Sequence, residues 1–139
     1  MRMLFCSDSK DLSRVEGSLE REWAAARAAG IRCELLWHDE AIDTPERSVR
    51  RLAARSQDVE SELLLYRGWM FRPDRYERLL AALSGAGLRL INSPDQYKRC
   101  HWFCEWYPLL EGETPTSVWT TGVPPLDEIM QLLHQFGDR

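Results

Sequence analysis

Arg67 has the most scope for chemistry of any residue in this chain. It leaves an unbroken apolar run, Leu63-Leu64-Leu65-Tyr66, and Gly68 beside it permits close approach of another backbone. A guanidinium in that position can hold a carboxylate or phosphate through two parallel hydrogen bonds. Trp69 follows directly. The free amides at Ser93 to Asp95 offer a second anion site. There the run Asn92-Ser93-Pro94-Asp95-Gln96 reads as a helix start, with Ser at the N-cap, Pro at the first helical position and Gln two residues later. A third segment, Cys6-Ser7-Asp8, follows the apolar run that opens the chain. Each segment would stand at the carboxyl end of a strand, where open parallel sheets bind their ligands. Ser7, Asp8, Arg67, Trp69, Asn92 and Ser93 are therefore the candidate substrate-binding residues. The plainer alternatives are that Arg67 pairs with Asp8 or another strand-end acid, and that Ser93 only caps its helix.

Other residue sets attract notice and then lose it. Cys100-His101-x-x-Cys104 has two thiols on one helix face, but structural zinc needs four ligands, usually in two close pairs, and Cys6 and Cys33 fall on strands. No metal site is expected. Nor is a Cys–His nucleophile: adjacent helical residues point about 100° apart, and no orienting third group is evident. His38 and His134 carry no spacing that argues for catalysis. The arginines at 47, 50, 51 and 55 read as a solvated helix face. There is no P-loop, no dinucleotide-binding glycine pattern after the first strand, and no phosphate loop of flavodoxin type. A phosphorelay receiver would want an acidic pair after strand one and an Asp after strand three, where this chain has Ser7-Asp8 and Arg67.

These residues need elements to position them. Arg2 to Cys6 reads as a first buried strand. Ser13-Arg14-Val15-Glu16 has the pattern of a capping box, followed by Val15, Leu19, Trp23 and Ala26 at helical spacing and Gly30 as the stop. Ile31 to Trp37 is a second strand. Thr44-Pro45-Glu46 opens a helix that buries Val49, Leu52 and Ala53. Leu63 to Tyr66 suits a strand covered on both faces. Pro73 opens a helix whose buried stripe is Tyr76, Leu79, Leu80 and Leu83. Leu88 to Ile91 is a fourth strand, and a helix should run from Ser93 to about Trp106. Strands separated by helices imply α/β architecture: a small doubly wound, mainly parallel, Rossmann-like sheet over residues 1–112. Residues 113–139 open something new, with a strand from Ser117 to Thr120, a Pro-Pro turn and an amphipathic helix to Phe136 that Gly137 ends.

The 139 residues carry a net charge of −4, which gives no reason to expect nucleic-acid binding. No apolar run approaches the ~20 residues that cross a bilayer, and the N-terminus is too short in apolar residues for a signal peptide. A cytoplasmic protein with reduced thiols is expected. An aromatic band, Tyr97, Trp102, Phe103, Trp106, Tyr107 and Trp119, has few basic residues around it for nucleic-acid stacking. It suits core packing, an absent domain or a protein partner, and the same face could pair two copies as a homodimer.

Four motifs in order along the chain resemble the N-terminal part of bacterial ATP-grasp domain proteins: Tyr66-Arg67-Gly68-Trp69-Met70, Leu90-Ile91-Asn92-Ser93-Pro94-Asp95-Gln96-Tyr97, Glu105-Trp106-Tyr107-Pro108-Leu109, and Thr114-Pro115-Thr116-Ser117-Val118-Trp119. The resemblance implies a pre-ATP-grasp domain over residues 1–112 and the beginning of an ATP-grasp subdomain over 113–139. Proteins of that superfamily, to which D-alanine–D-alanine ligase and glutathione synthetase are related at fold level, join a carboxylate to an amine or thiol through an acyl-phosphate, using ATP and Mg²⁺. The pre-ATP-grasp domain contributes substrate contacts, which would fall to Arg67 and the Asn92-Ser93 turn toward a small molecule with a carboxylate. The lysines that hold ATP and the acidic Mg²⁺ ligands would come later than Arg139. This chain is thus expected to be a truncated piece of a ligase-like protein, inactive alone and holding no cofactor itself. A free-standing, non-enzymatic binding module that uses the aromatic band for a protein partner is the alternative.

Overall fold

Four strands form one parallel sheet in the order β2-β1-β3-β4. They are β1 (Arg2–Cys6), β2 (Arg32–Leu36), β3 (Glu62–Arg67) and β4 (Leu88–Leu90). The computed structural model describes residues 1–54, 62–120 and 122–137. The chain divides into two units, Met1–Lys98, which holds the sheet, and Arg99–Arg139.

Side-chain alternation along the strands sorts the core into two layers. Leu4, Leu36 and Leu64 point to one face. There they meet Ala41 of α2 (His38–Asp43), Val49 and Leu52 of α3 (Pro45–Ala53), and Tyr76, Leu79 and Leu83 of α4 (Pro73–Gly85). Met3, Phe5, Cys33 and Leu35 point to the other face, against Val15, Leu19, Trp23 and Ala26. The last two belong to α1 (Glu20–Ala28), which a single 3-10 turn at Gly17–Leu19 precedes. The β1-to-β2 crossover lies on one face and the later crossovers on the other, as right-handed connections require when the chain steps first one way from β1 and then the other. Within the first unit, α1 is the helix packed on its face, and Leu63 and Leu65 of β3 are only half-buried there.

Several local expectations hold and several do not. Pro45 and Pro73 each stand at the start of a helix, and the Ser93–Gln96 box forms in both directions: the Ser93 amide donates to Gln96 Oε1 at 2.9 Å and the Gln96 amide to Ser93 Oγ at 3.2 Å. The capping box at Ser13–Glu16 does not form. Val15 pairs with Ser7 in an antiparallel bridge, which keeps that stretch extended, and Glu16 accepts from the Ser18 amide. The helix expected over 93–106 is two helices, α5 (Pro94–His101) and α6 (Phe103–Leu110). Trp102 has extended backbone, φ −98° and ψ 120°, and its carbonyl accepts from the Glu105 and Trp106 amides to start the second. The strand expected at Ser117–Thr120 is absent: those residues join no ladder among the described residues, and a strand without a partner leaves its backbone groups unpaired. Helix α7 (Leu126–Gly137) is present as read.

At the amino end of the sheet Arg2 is 1% exposed. It donates to Glu62 Oε2 at 2.5 Å and to the Leu52 carbonyl at 3.1 Å, and Arg32 pairs with the same Glu62. A charge buried that deeply survives only with such partners. No helix among the described residues is long and apolar enough to cross a membrane.

Candidate functional site

The order β2-β1-β3 means that the chain reverses direction between β1 and β3, the crevice where open α/β sheets bind ligands. A cavity of about 180 Å³ lies at the carboxyl ends of these strands. Ser7 and Ser9 line it from the β1 exit, Trp37, His38, Asp39 and Glu40 from the β2 exit, and Trp69 from the β3 exit.

Each wall is held by local chemistry. The Ser7 amide donates to the Leu36 carbonyl at 3.0 Å, and the following loop folds back so that the Asp8 amide reaches the Arg14 carbonyl at 2.9 Å. Two hydroxyls pin the β3 exit: Tyr66 donates to the Trp69 carbonyl at 2.7 Å, and Tyr97 accepts from the Phe71 amide at 2.7 Å. Gly68 makes the turn possible, because a Cβ there would stand 2.6 Å from both Cys6 Cβ and the Tyr66 hydroxyl oxygen. Burial pushes the phenols of Tyr66 and Tyr97 up, and that of Tyr76 up to about 12; burial likewise pushes the Cys6 thiol up. All four groups stay protonated at neutral pH and serve packing and hydrogen bonding.

His38 lines the cavity between two aromatic side chains. Its imidazole stacks on Phe71 at 4.7 Å and meets Trp69 edge-on at 5.4 Å. Its Nε2 is buried with no hydrogen-bond partner among the described residues, and so is the Oγ of Ser7, a residue only 2% exposed. Two orphaned polar atoms in residues lining one small cavity are costly unless something binds there. Since neither atom has a partner, Ser7 and His38 are not hydrogen-bonded to each other, so they do not make a Ser–His nucleophile in this conformation. Asp39 Oδ1 lies 3.6 Å from His38 Nδ1, beyond hydrogen-bond length, and its side chain is 88% exposed. Glu40 is already neutralised: Arg51 grips it at 2.8 and 2.7 Å, Arg47 lies at 3.0 Å and Ser48 donates at 2.8 Å.

The structure brings together two of the six residues singled out from the sequence, Ser7 and Trp69. Arg67 faces the α1 side of the sheet and is gripped by Glu22 through two bonds of 2.8 and 2.6 Å, with that pair holding the Glu22 carboxyl below its ordinary range. The pairing with a nearby acid was foreseen; its partner comes from α1 and is not Asp8. Asp8 caps its own loop, accepting from the Lys10 and Asp11 amides at 2.8 and 3.0 Å, and these bonds lower its pKa. The Asn92 carbonyl accepts from Tyr76 at 2.9 Å, and Ser93 is engaged in its capping box. Trp37 and Asp39 escaped notice as site residues, and His38 was set aside because no spacing around it argued for catalysis. The signal was available: they follow strand two, and the strand-end rule that selected Ser7, Arg67 and Asn92 selects them equally.

Two further expectations change. The arginine face is not simply solvated, since Arg47 and Arg51 converge on Glu40 and the Arg51 guanidinium lies 3.7 Å over the Trp37 ring; Arg55 lies outside the described residues. The aromatic band splits. Tyr97 stacks on Tyr76 at 3.8 Å within the first unit. In the second unit Phe103, Tyr107 and Trp119 pack ring against ring at 5.1 to 5.4 Å, and the Tyr107 hydroxyl accepts from the Ser117 amide. That unit also exposes Val118, Val123, Leu126 and Leu133. Cys100 and Cys104 fall on either side of the Trp102 break, so the shared helix face that would pair them is interrupted. Among the described residues no three His, Cys, Asp or Glu side chains gather as metal ligands. The described residues do not fit Mg²⁺.

No family model, no curated protein and no solved structure matches the chain.

Proposed function

We propose that residues 1–98 are the substrate-side domain of an ATP-grasp ligase-like protein, which binds one of the two small molecules that such a ligase joins. The observation that carries this reading is the small cavity at the β1/β3 switch point, lined by Ser7 and His38, each of which carries a buried polar atom with no hydrogen-bond partner among the described residues. The order of the motifs along the chain agrees with it, and so does the all-parallel α/β sheet. ATP and Mg²⁺ belong to the ATP-grasp fold that this domain would serve. Phosphoryl transfer depends on positioned cations, and this cavity has none.

The test is calorimetry with Mg-ATP beside an amide-shift titration with a mixture of the standard amino acids. Expected are no micromolar affinity for Mg-ATP, and shifts at Ser7, Ser9, His38, Asp39 and the Trp69 indole when the mixture is added. Micromolar Mg-ATP binding that moves those same residues would make this a nucleotide site and overturn the reading.

A further inference from the structure

The charges around the cavity decide which substrate it takes. Its charged lining residues are Asp39 and Glu40; neither Lys nor Arg is among the side chains that line it. Glu40 is occupied by Arg47 and Arg51, which leaves Asp39 as the open charge. The cation expected to receive a carboxylate, Arg67, points to the α1 face and is held by Glu22. An incoming anion would therefore meet a bare carboxylate and no compensating cation.

The neutral groups point the same way. Trp69 is 41% exposed at the cavity, and the face of an indole ring attracts cations. A serine hydroxyl can accept a hydrogen bond, and Ser7 Oγ has no hydrogen-bond partner among the described residues. An ammonium group has three protons to donate and nothing to accept. The positive end of α2 would favour an anion, but Asp39 and Glu40 in its first turn already answer that partial charge. The volume, equal to about six waters' share of bulk liquid, suits a molecule of amino-acid size.

Resting on the substrate-domain reading above, we infer that the cavity receives a protonated primary amine, held between the Asp39 carboxylate, the Trp69 ring and the Ser7 hydroxyl. In a ligase that joins a carboxylate to an amine, this domain then presents the amine.

Three matched probes test it on the full 139-residue chain by amide and indole shifts: L-alaninamide, with an amine and no carboxylate; N-acetyl-L-alanine, with a carboxylate and no amine; and N-acetyl-L-alaninamide, with neither. L-alaninamide should move Ser7, Asp39 and the Trp69 indole, and Asp39→Asn should weaken its binding by about fivefold, the scale of an exposed charge pair. N-acetyl-L-alaninamide should leave those residues unmoved. If N-acetyl-L-alanine moves them and L-alaninamide does not, the amine assignment is wrong while the substrate-domain reading stands. If none of the three moves them up to tens of millimolar, where even weak ligand sites fill, both fail.

Discussion

Gly68→Ala is the sharpest test of how the site is built. The added methyl would lie 2.6 Å from Cys6 Cβ, 2.6 Å from the Tyr66 hydroxyl oxygen and 2.9 Å from Tyr66 Cζ. Ordinary carbon contacts are about 3.5–4.0 Å, so something must move by roughly 1 Å. Cys6 cannot yield cheaply, because Cβ is tied to the backbone of β1, buried and paired on both sides. The Tyr66 ring must shift instead, and its hydroxyl then loses the 2.7 Å bond to the Trp69 carbonyl. Overpacking of this kind costs about 1–3 kcal/mol, and the lost hydrogen bond about 1 kcal/mol more. The sum, about 2–4 kcal/mol, is a large share of the 5–15 kcal/mol typical of a whole domain. With a urea m-value of about 2 kcal/mol/M, the unfolding midpoint should fall by about 1–2 M. Gly85→Ala is the control: Gly85 ends α4, and its Cβ would meet nothing within 4 Å. It should leave the midpoint unchanged or raise it slightly. The Trp69 indole resonance should move in Gly68→Ala and stay put in Gly85→Ala. A Gly68→Ala midpoint within about 0.3 M of the parent, less than the smallest cost of overpacking, would refute the close-packed β3 exit.

Two predictions concern protons. Arg67→Gln should return the Glu22 carboxyl to its ordinary range, read by carbon NMR titration, since the guanidinium is the main cause of its depression. Because the folded-state pKa is lowered, the pair's contribution is present above the unfolded carboxylate pKa and lost as pH falls through the folded value. Parent and variant stabilities should therefore converge in acid; an identical Glu22 titration in both proteins would remove the ion pair from the account. At the other end of the scale, Tyr66 and Tyr76 have raised phenol pKa values, chiefly from burial. The unfolded chain releases these protons first, near pH 10, so stability is fully present below that pH and declines above it. For Tyr66 the slope is about 1.4 kcal/mol per pH unit, and phenolate absorbance should rise together with loss of the circular-dichroism signal. Full phenolate formation in a still-folded protein would contradict the burial.

What was legible in the sequence was local. Pro45, Pro73 and the Ser93-Pro94-Gln96 start announce helices through bonds made within four residues, and the apolar runs at 2–6 and 63–66 locate their strands, the second of which extends one residue further at each end to Glu62 and Arg67. The failures come where a local pattern meets a distant partner. Ser13–Glu16 has the residues of a capping box, yet Ser7 captures Val15 in a bridge and the chain stays extended. Ser117–Thr120 has the residues of a strand and no neighbour to pair with among the described residues. Buried Arg2 was invisible inside an apolar run, because its partner Glu62 is 60 residues away.

The candidate site illustrates the same division more finely. Strand ends were located well enough, but a strand end has two sides, and the side is set by parity. Cys6, Leu64 and Tyr66 share the face of α2, α3 and α4, whereas Arg67, one residue on, faces α1 and finds Glu22 across a separation of 45 residues. The residue with the most obvious chemistry was thus turned away from the cavity by the two-residue period of the strand. His38, with no motif around it, was brought in because β2 lies next to β1 and the chain turns directly from strand to helix. Its orphaned Nε2 arises from the same topology, which packs Phe71 and Trp69 of the β3 exit against its ring and leaves that atom no hydrogen-bond partner among the described residues. A cavity made of residues from three separate strand exits leaves no spacing signature in the chain. It becomes readable only once the strand order β2-β1-β3 is known, because that order decides which exits share a wall.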